Sequence, residues 1–165
     1  MKAMGSRRVR PLLVSGTPAP DFRLARLSGG EATLAELTAG SRVLLCFFKI
    51  SCPVCQMALP FLERLHASGG LAIYGISQND ADATREFHEY YQLTLPTLLD
   101  DEDEGYLASN AYGISSVPTM FLVEPDGVVS RVLEGWNRID METLGAEAGI
   151  MLFQPGDNVP AWKAG

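Results

Sequence analysis

The sequence predicts an α/β fold, a central mixed β-sheet flanked by helices on both faces. Two observations carry this. Apolar runs of strand length alternate with segments of helical periodicity: Val43-Leu44-Leu45-Cys46-Phe47-Phe48 precedes a helical pattern, and Leu71-Ala72-Ile73-Tyr74-Gly75-Ile76-Ser77 precedes another. Near the end of the chain Pro125-Asp126-Gly127, a strong turn signal, separates two strand-like runs. The resulting hairpin makes the sheet mixed rather than parallel.

The elements follow in order. Residues 1–15 read as a loosely held segment, residues 16–153 as the folded domain and residues 154–165 as a tail. Phe22-Arg23-Leu24-Ala25-Arg26-Leu27 alternates and ends at Ser28-Gly29-Gly30, a strand entering a turn. Leu34-Ala35-Glu36-Leu37 is a short helical turn stopped by Gly40. The central strand covers about residues 42–49. The helix after it places Met57, Leu59, Phe61, Leu62 and Leu65 at mixed three- and four-residue spacing and ends at Gly69-Gly70. Beyond the second buried strand, Asp80 caps a helix through Phe87 and Tyr91. Thr97-Leu98-Leu99 is a short strand, and the acidic run Asp100 to Glu104 reads as a solvated loop before a helix through Leu107 and Tyr112. Thr119 to Val123 and Val128 to Leu133 form the hairpin. Asp140 opens a last helix to about Met151, and Trp162 is the tail's candidate apolar anchor. No internal repeat, low-complexity segment or second domain is visible.

The whole chain narrows the function classes. Its 165 residues suggest one domain with a full-sized core. A hydrophobic content of 47% with 20% charged residues describes an ordinary soluble protein. The net charge of −7 argues against a broad nucleic-acid surface. Lys2, Arg7, Arg8 and Arg10 cluster at the start, yet only Leu12-Leu13-Val14 follows, too little for the apolar core of a signal peptide. No stretch has the length of a membrane span. The expected compartment is the cytoplasm, with the cell envelope open if an export signal or anchor has been removed. Three cysteines are a poor match to a secreted disulfide framework.

A pair, Cys52-Pro53-Val54-Cys55, sits where the central strand gives way to a helix. Unpaired N–H groups and the helix dipole favour an anion at such a terminus, and a Cys52 thiolate is one. Cys55, about one turn on, is close enough to form a disulfide with it. This is the layout of an electron-carrying dithiol. A zinc half-site and an inert pair are the other readings; a zinc site would need two further ligands, and Cys46, His66 and His88 have no matching spacing. Pro53 in the first turn costs no backbone hydrogen bond and stiffens the loop. Lys49, three residues before Cys52, either favours its thiolate or is simply solvated. Cys46 reads as a small buried hydrophobe. His66 and His88 read as surface residues, and Glu124 and Glu134 as proton carriers only if the fold brings one near Cys55.

These elements and their order resemble a known family. Gly16-Thr17-Pro18-Ala19-Pro20-Asp21-Phe22, the strand-CxxC-helix unit with Pro60 five residues past Cys55, Tyr112-Gly113-Ile114-Ser115-Ser116-Val117-Pro118-Thr119, Glu124-Pro125-Asp126-Gly127 and Gly135-Trp136 resemble the redoxin branch of the thioredoxin superfamily. That branch includes AhpC/TSA proteins and TlpA-like thiol–disulfide oxidoreductases. The resemblance spans roughly residues 16–151. It implies a thioredoxin-like fold with Cys52 as nucleophile and Cys55 as resolving cysteine. It also implies a cis bond before Pro118, and a groove in which Val117 offers backbone groups to an extended peptide, with Pro118, Pro53 and Ser51 as further substrate-binding candidates. The implied substrate is a protein disulfide or thiol and an upstream reductant is needed; reduction is favoured over oxidation if the compartment is the cytoplasm. No metal or organic cofactor is required.

The chain departs from the family at three places. Ser51 stands where thioredoxins usually carry an aromatic residue. Cys46 stands where many carry a buried aspartate that moves the proton of the second cysteine. If Cys55 held the peroxidatic place, Cys52 would replace the required threonine or serine and Phe48 the required proline. A thiol-dependent peroxidase is therefore the first alternative, weakened by that broken motif. A non-enzymatic redox-sensing or binding module is the second, and the intact cysteine pair argues against it.

Overall fold

The computed structural model describes residues 10–165. In chain order the elements are β1 (Arg23–Arg26), β2 (Glu31–Thr33), α1 (Leu34–Thr38), β3 (Val43–Phe48), α2 (Pro53–Ser68), β4 (Ala72–Ser77), α3 (Ala81–Tyr91), β5 (Thr97–Leu99), α4 (Leu107–Tyr112), β6 (Thr119–Val123), β7 (Val129–Glu134), β8 (Trp136–Asn137), α5 (Arg138–Glu147) and β9 (Trp162–Lys163). Seven strands form one sheet in the order β2-β1-β5-β4-β3-β6-β7. β3, β4 and β5 run parallel, and the remaining pairings in this sheet are antiparallel, so the sheet is mixed as expected. β8 and β9 make a separate two-stranded ribbon.

β3 holds the centre because all six of its residues are apolar and can be buried on both faces. Successive side chains point to opposite faces. On one face Phe47 meets Tyr112 of α4 and Phe121 of β6. On the other Phe48 meets Phe87 of α3. Helices therefore cover both faces. α2 buries Leu59, Leu62 and Leu65 completely, each contributing about 1.5–3 kcal/mol relative to exposure. Its C-cap, Gly69, takes the left-handed conformation that ends the helix.

Several expectations change. Residues 1–9 of the expected loose segment lie outside the described residues. Residues 10–15 are attached: Leu12 and Leu13 pack against the core, and the Leu13 N–H donates to the Tyr112 carbonyl at 3.2 Å. The last helix is capped by Asn137, whose Oδ1 accepts the Asp140 N–H at 3.1 Å, so Asp140 lies in the first turn. That helix stops before Met151 because the Ile150 N–H turns back to the Gly145 carbonyl across a left-handed Gly149.

Asp100 is fully buried, not solvated. Its carboxylate accepts the N–H groups of Ala108 and Ser109 and the Ser109 hydroxyl, supplying the cap that Tyr106 cannot give α4. Trp162 is 62% exposed and anchors nothing in the core. The buried indole is Trp136, which packs on Phe61 and Phe153 and holds the tail by donating to the Pro160 carbonyl at 2.8 Å. His88 is half-buried, bonded to the Leu93 carbonyl and to Thr97 Oγ1.

Candidate functional site

The parallel strands β3 and β4 end together, Phe48 opposite Ser77, and the cysteine loop begins there. Backbone groups freed at this edge are claimed by two amides. Asn79 Oδ1 accepts the Ile50 N–H at 3.0 Å, and Gln56 Nε2 donates to the Ile50 carbonyl at 2.9 Å. The Cys52 N–H closes a turn on the Lys49 carbonyl at 3.3 Å. Gln56 and Asn79 hold the loop in place, and sequence reasoning missed both. Their only signal was a polar residue just after Cys55 and another just after β4.

Cys52 is the N-cap of α2, and Pro53 is its first residue. The Cys52 sulfur accepts the Cys55 N–H at 3.2 Å and donates its proton to the Val117 carbonyl at 3.3 Å. Cys55 is buried, while Cys52 is half-exposed. Burial pushes the Cys55 thiol well above the ordinary thiol range, and its hydrogen bond with Cys52 raises it further; a bond to the Lys49 backbone opposes both. Cys46 lies in β3 between Gly75 and Met120 and is completely buried. Burial likewise raises its thiol far above the usual range, with the neighbouring Cys52 charge as a smaller cause.

The Val117–Pro118 peptide bond is cis. Both residues are buried, and the Pro118 carbonyl accepts the Gly135 N–H at 2.8 Å. Ser51 and Pro53 are exposed on the cysteine loop. The side chain of Lys49 is exposed and lines a polar cavity of about 240 Å³ with Gln78, Ser109, Ser116 and Val117. The fold thus gathers Cys52, Cys55, Pro53 and Val117–Pro118 at one end of the sheet.

The two glutamates considered as proton carriers separate. Glu124 follows β6, whose Val123 lies opposite Val129 of β7, and is paired with Arg42 at 2.6 Å. Glu134 is exposed and opposite Thr119, at the end of the sheet nearest Pro118. Among the described residues, no three His, Cys, Asp or Glu side chains come together as a metal site, and no helix is long and apolar enough to cross a membrane.

The chain is similar to proteins of known class. It is 32% identical over 124 residues to the thiol-disulfide oxidoreductase ResA of Geobacillus thermodenitrificans (strain NG80-2), covering 73% of this chain and 69% of that protein. It is 32% identical over 126 residues to the thioredoxin-like protein YneN of Bacillus subtilis (strain 168), covering 73% and 71%. The thioredoxin domain of a thiol-disulfide oxidoreductase from Bacteroides vulgatus superposes with a TM-score of 0.71 at 22% identity, over 84% of this chain and 99% of that one, a likeness of fold. The AhpC/TSA family model matches residues 15–132, from the entry segment through the hairpin. The fold is thioredoxin-like, and the chain belongs to the AhpC/TSA family.

Proposed function

We propose that the protein is a thiol–disulfide oxidoreductase that exchanges electrons with a protein partner through Cys52 and Cys55. The observation that carries this is the position of the Cys52 sulfur, at the N-cap of α2 and 3.3 Å from the carbonyl that precedes Pro118. The Cys52 thiolate attacks one sulfur of a substrate disulfide. A Cys52–substrate bond forms, the substrate S–S bond breaks, and the first substrate thiolate leaves. Cys55, after losing its proton, attacks Cys52. The internal disulfide forms and the second substrate thiolate leaves, so two electrons pass to the substrate. A dithiol reductant restores the pair by the same steps in reverse.

Val117, Pro118, Pro53 and Ser51 form the groove that aligns an extended substrate, and Lys49 lends positive charge at its rim. The raised thiol of Cys55 keeps it protonated until the mixed disulfide exists, so attack begins at Cys52. With Cys46 in place of an acid, the Cys55 proton leaves directly to water or to the departing substrate thiolate.

The test is the reduction potential of the pair, measured by equilibration in thiol/disulfide buffers and counting free thiols. A value near about −270 mV is expected of a reductase suited to a reducing compartment, and one near about −120 mV would mark an oxidant. Failure to form a reversible Cys52–Cys55 disulfide would overturn the proposal.

A further inference from the structure

The groove residues Val117 and Pro118 are buried, whereas Ser51 and Pro53 on the cysteine loop are exposed. The chain's own tail reaches this spot. Gly165 lies against the Val117–Pro118 bond: a Cβ on it would overlap the Val117 carbonyl oxygen and stand 3.3 Å from the Pro118 nitrogen. That carbonyl is the one facing the Cys52 sulfur.

The tail arrives as a strand. β9 pairs antiparallel with β8, Lys163 opposite Trp136 and Trp162 opposite Asn137, and the Arg138 N–H donates to the Ala161 carbonyl at 3.0 Å. The crossing depends on a second glycine. Gly135 has φ +67°, and a Cβ there would overlap the Lys163 carbonyl oxygen and stand 3.1 Å from the Gly165 nitrogen. Bare backbone at Gly135 and Gly165 brings the tail close to the sheet end and onto Val117.

We propose that residues 162–165 are an intramolecular occupant of the substrate groove, a strap that an extended, disulfide-bearing peptide displaces before its backbone reaches Val117. This rests on the reading of Val117–Pro118 as the groove. The strap is held weakly: its ladder is two residues long, and every side chain from Ala161 onward is exposed. Such segments open at low free energy. The strap also describes its competitor, an extended strand with a small residue against Val117 and its larger side chains outward. A small disulfide needs only the Cys52 sulfur and reacts with the strap in place.

The experiment compares the reduced full chain with a chain lacking residues 162–165, which keeps the Ala161 carbonyl. Each reacts with a disulfide-linked dimer of a synthetic extended peptide and with hydroxyethyl disulfide. Removing the strap should speed the peptide reaction about five- to tenfold, because the open groove no longer has to be selected, and change the small-disulfide rate less than about twofold. Equal peptide rates overturn the strap. A Pro118→Ala variant of the shortened chain then separates the two readings. If it reacts more slowly with the peptide, the groove stands without the strap; if it does not, both fall. In the full chain, Cys55→Ser trapped as the peptide mixed disulfide should show faster amide exchange at residues 162–165 than the free protein. Unchanged exchange also overturns the proposal.

Discussion

The Cys52 thiol donates to the Val117 carbonyl, joining residues 65 positions apart at 3.3 Å. This contact spans the gap between the cysteine loop and the strand entry at β6. It puts the reacting sulfur beside the backbone carbonyl that Gly165 lies against.

The two cysteines therefore divide the work unequally. Cys52→Ser should lower disulfide exchange by a factor on the order of a thousand or more. Cys55→Ser should retain the first attack and accumulate a mixed disulfide. Mass spectrometry of each variant after mixing with a disulfide-bonded peptide checks this. A stable adduct on Cys52→Ser in place of Cys55→Ser would reverse the roles.

Cys46 should be inert in the folded state, because its thiol is buried and held protonated. Alkylation of the reduced native protein should label Cys52 and leave Cys46 unmodified until denaturant is added. Cys46→Ser should cost about 1–3 kcal/mol by burying a hydroxyl in an apolar layer, measured from the shift in urea midpoint. Rapid native labelling of Cys46 would count against its packing role.

Asp100 stabilises the start of α4 with three accepted hydrogen bonds from a fully buried position. Asp100→Ala leaves two N–H groups and a hydroxyl without that acceptor. The expected loss is about 2–3 kcal/mol, with Asp100→Asn losing less. Urea unfolding of both variants measures it, and an unchanged midpoint for Asp100→Ala would contradict the assignment.

His88 gives the fold a pH dependence of known sign. Burial holds its imidazole below the usual value, so the unfolded chain binds that proton more readily. The neutral ring donates from Nδ1 to the Leu93 carbonyl and accepts from Thr97 Oγ1 at Nε2. Its stabilisation is complete above about pH 6.5 and is lost as pH falls through the lower folded-state value. His88→Gln should flatten this part of the stability profile, seen by comparing urea midpoints above and below that pH. An identical slope in variant and parent would remove His88 as the cause.

The dithiol and its strand–helix setting were legible in the residues because they depend on local rules. A run of six apolar residues makes a central strand, a cap and a proline start a helix, and Gly69 ends it. Those rules act over a few residues, so Val43–Phe48, Cys52–Cys55 and the Glu124–Gly127 hairpin turn could be read in order. What approaches the cysteines from far along the chain could not be read that way. Gln56 and Asn79 clamp Ile50 only because β3 and β4 end side by side. Asp100 looks like one more acid in an exposed run until α4 folds its N–H groups onto it. Trp162 looks like an anchor, but Trp136 takes that place because it lies beside Phe61 and Phe153. β8 and β9 are two residues each, too short for any pattern. Their pairing carries Gly165 to Val117, and long-range packing, to which single-chain periodicity is blind, decides it.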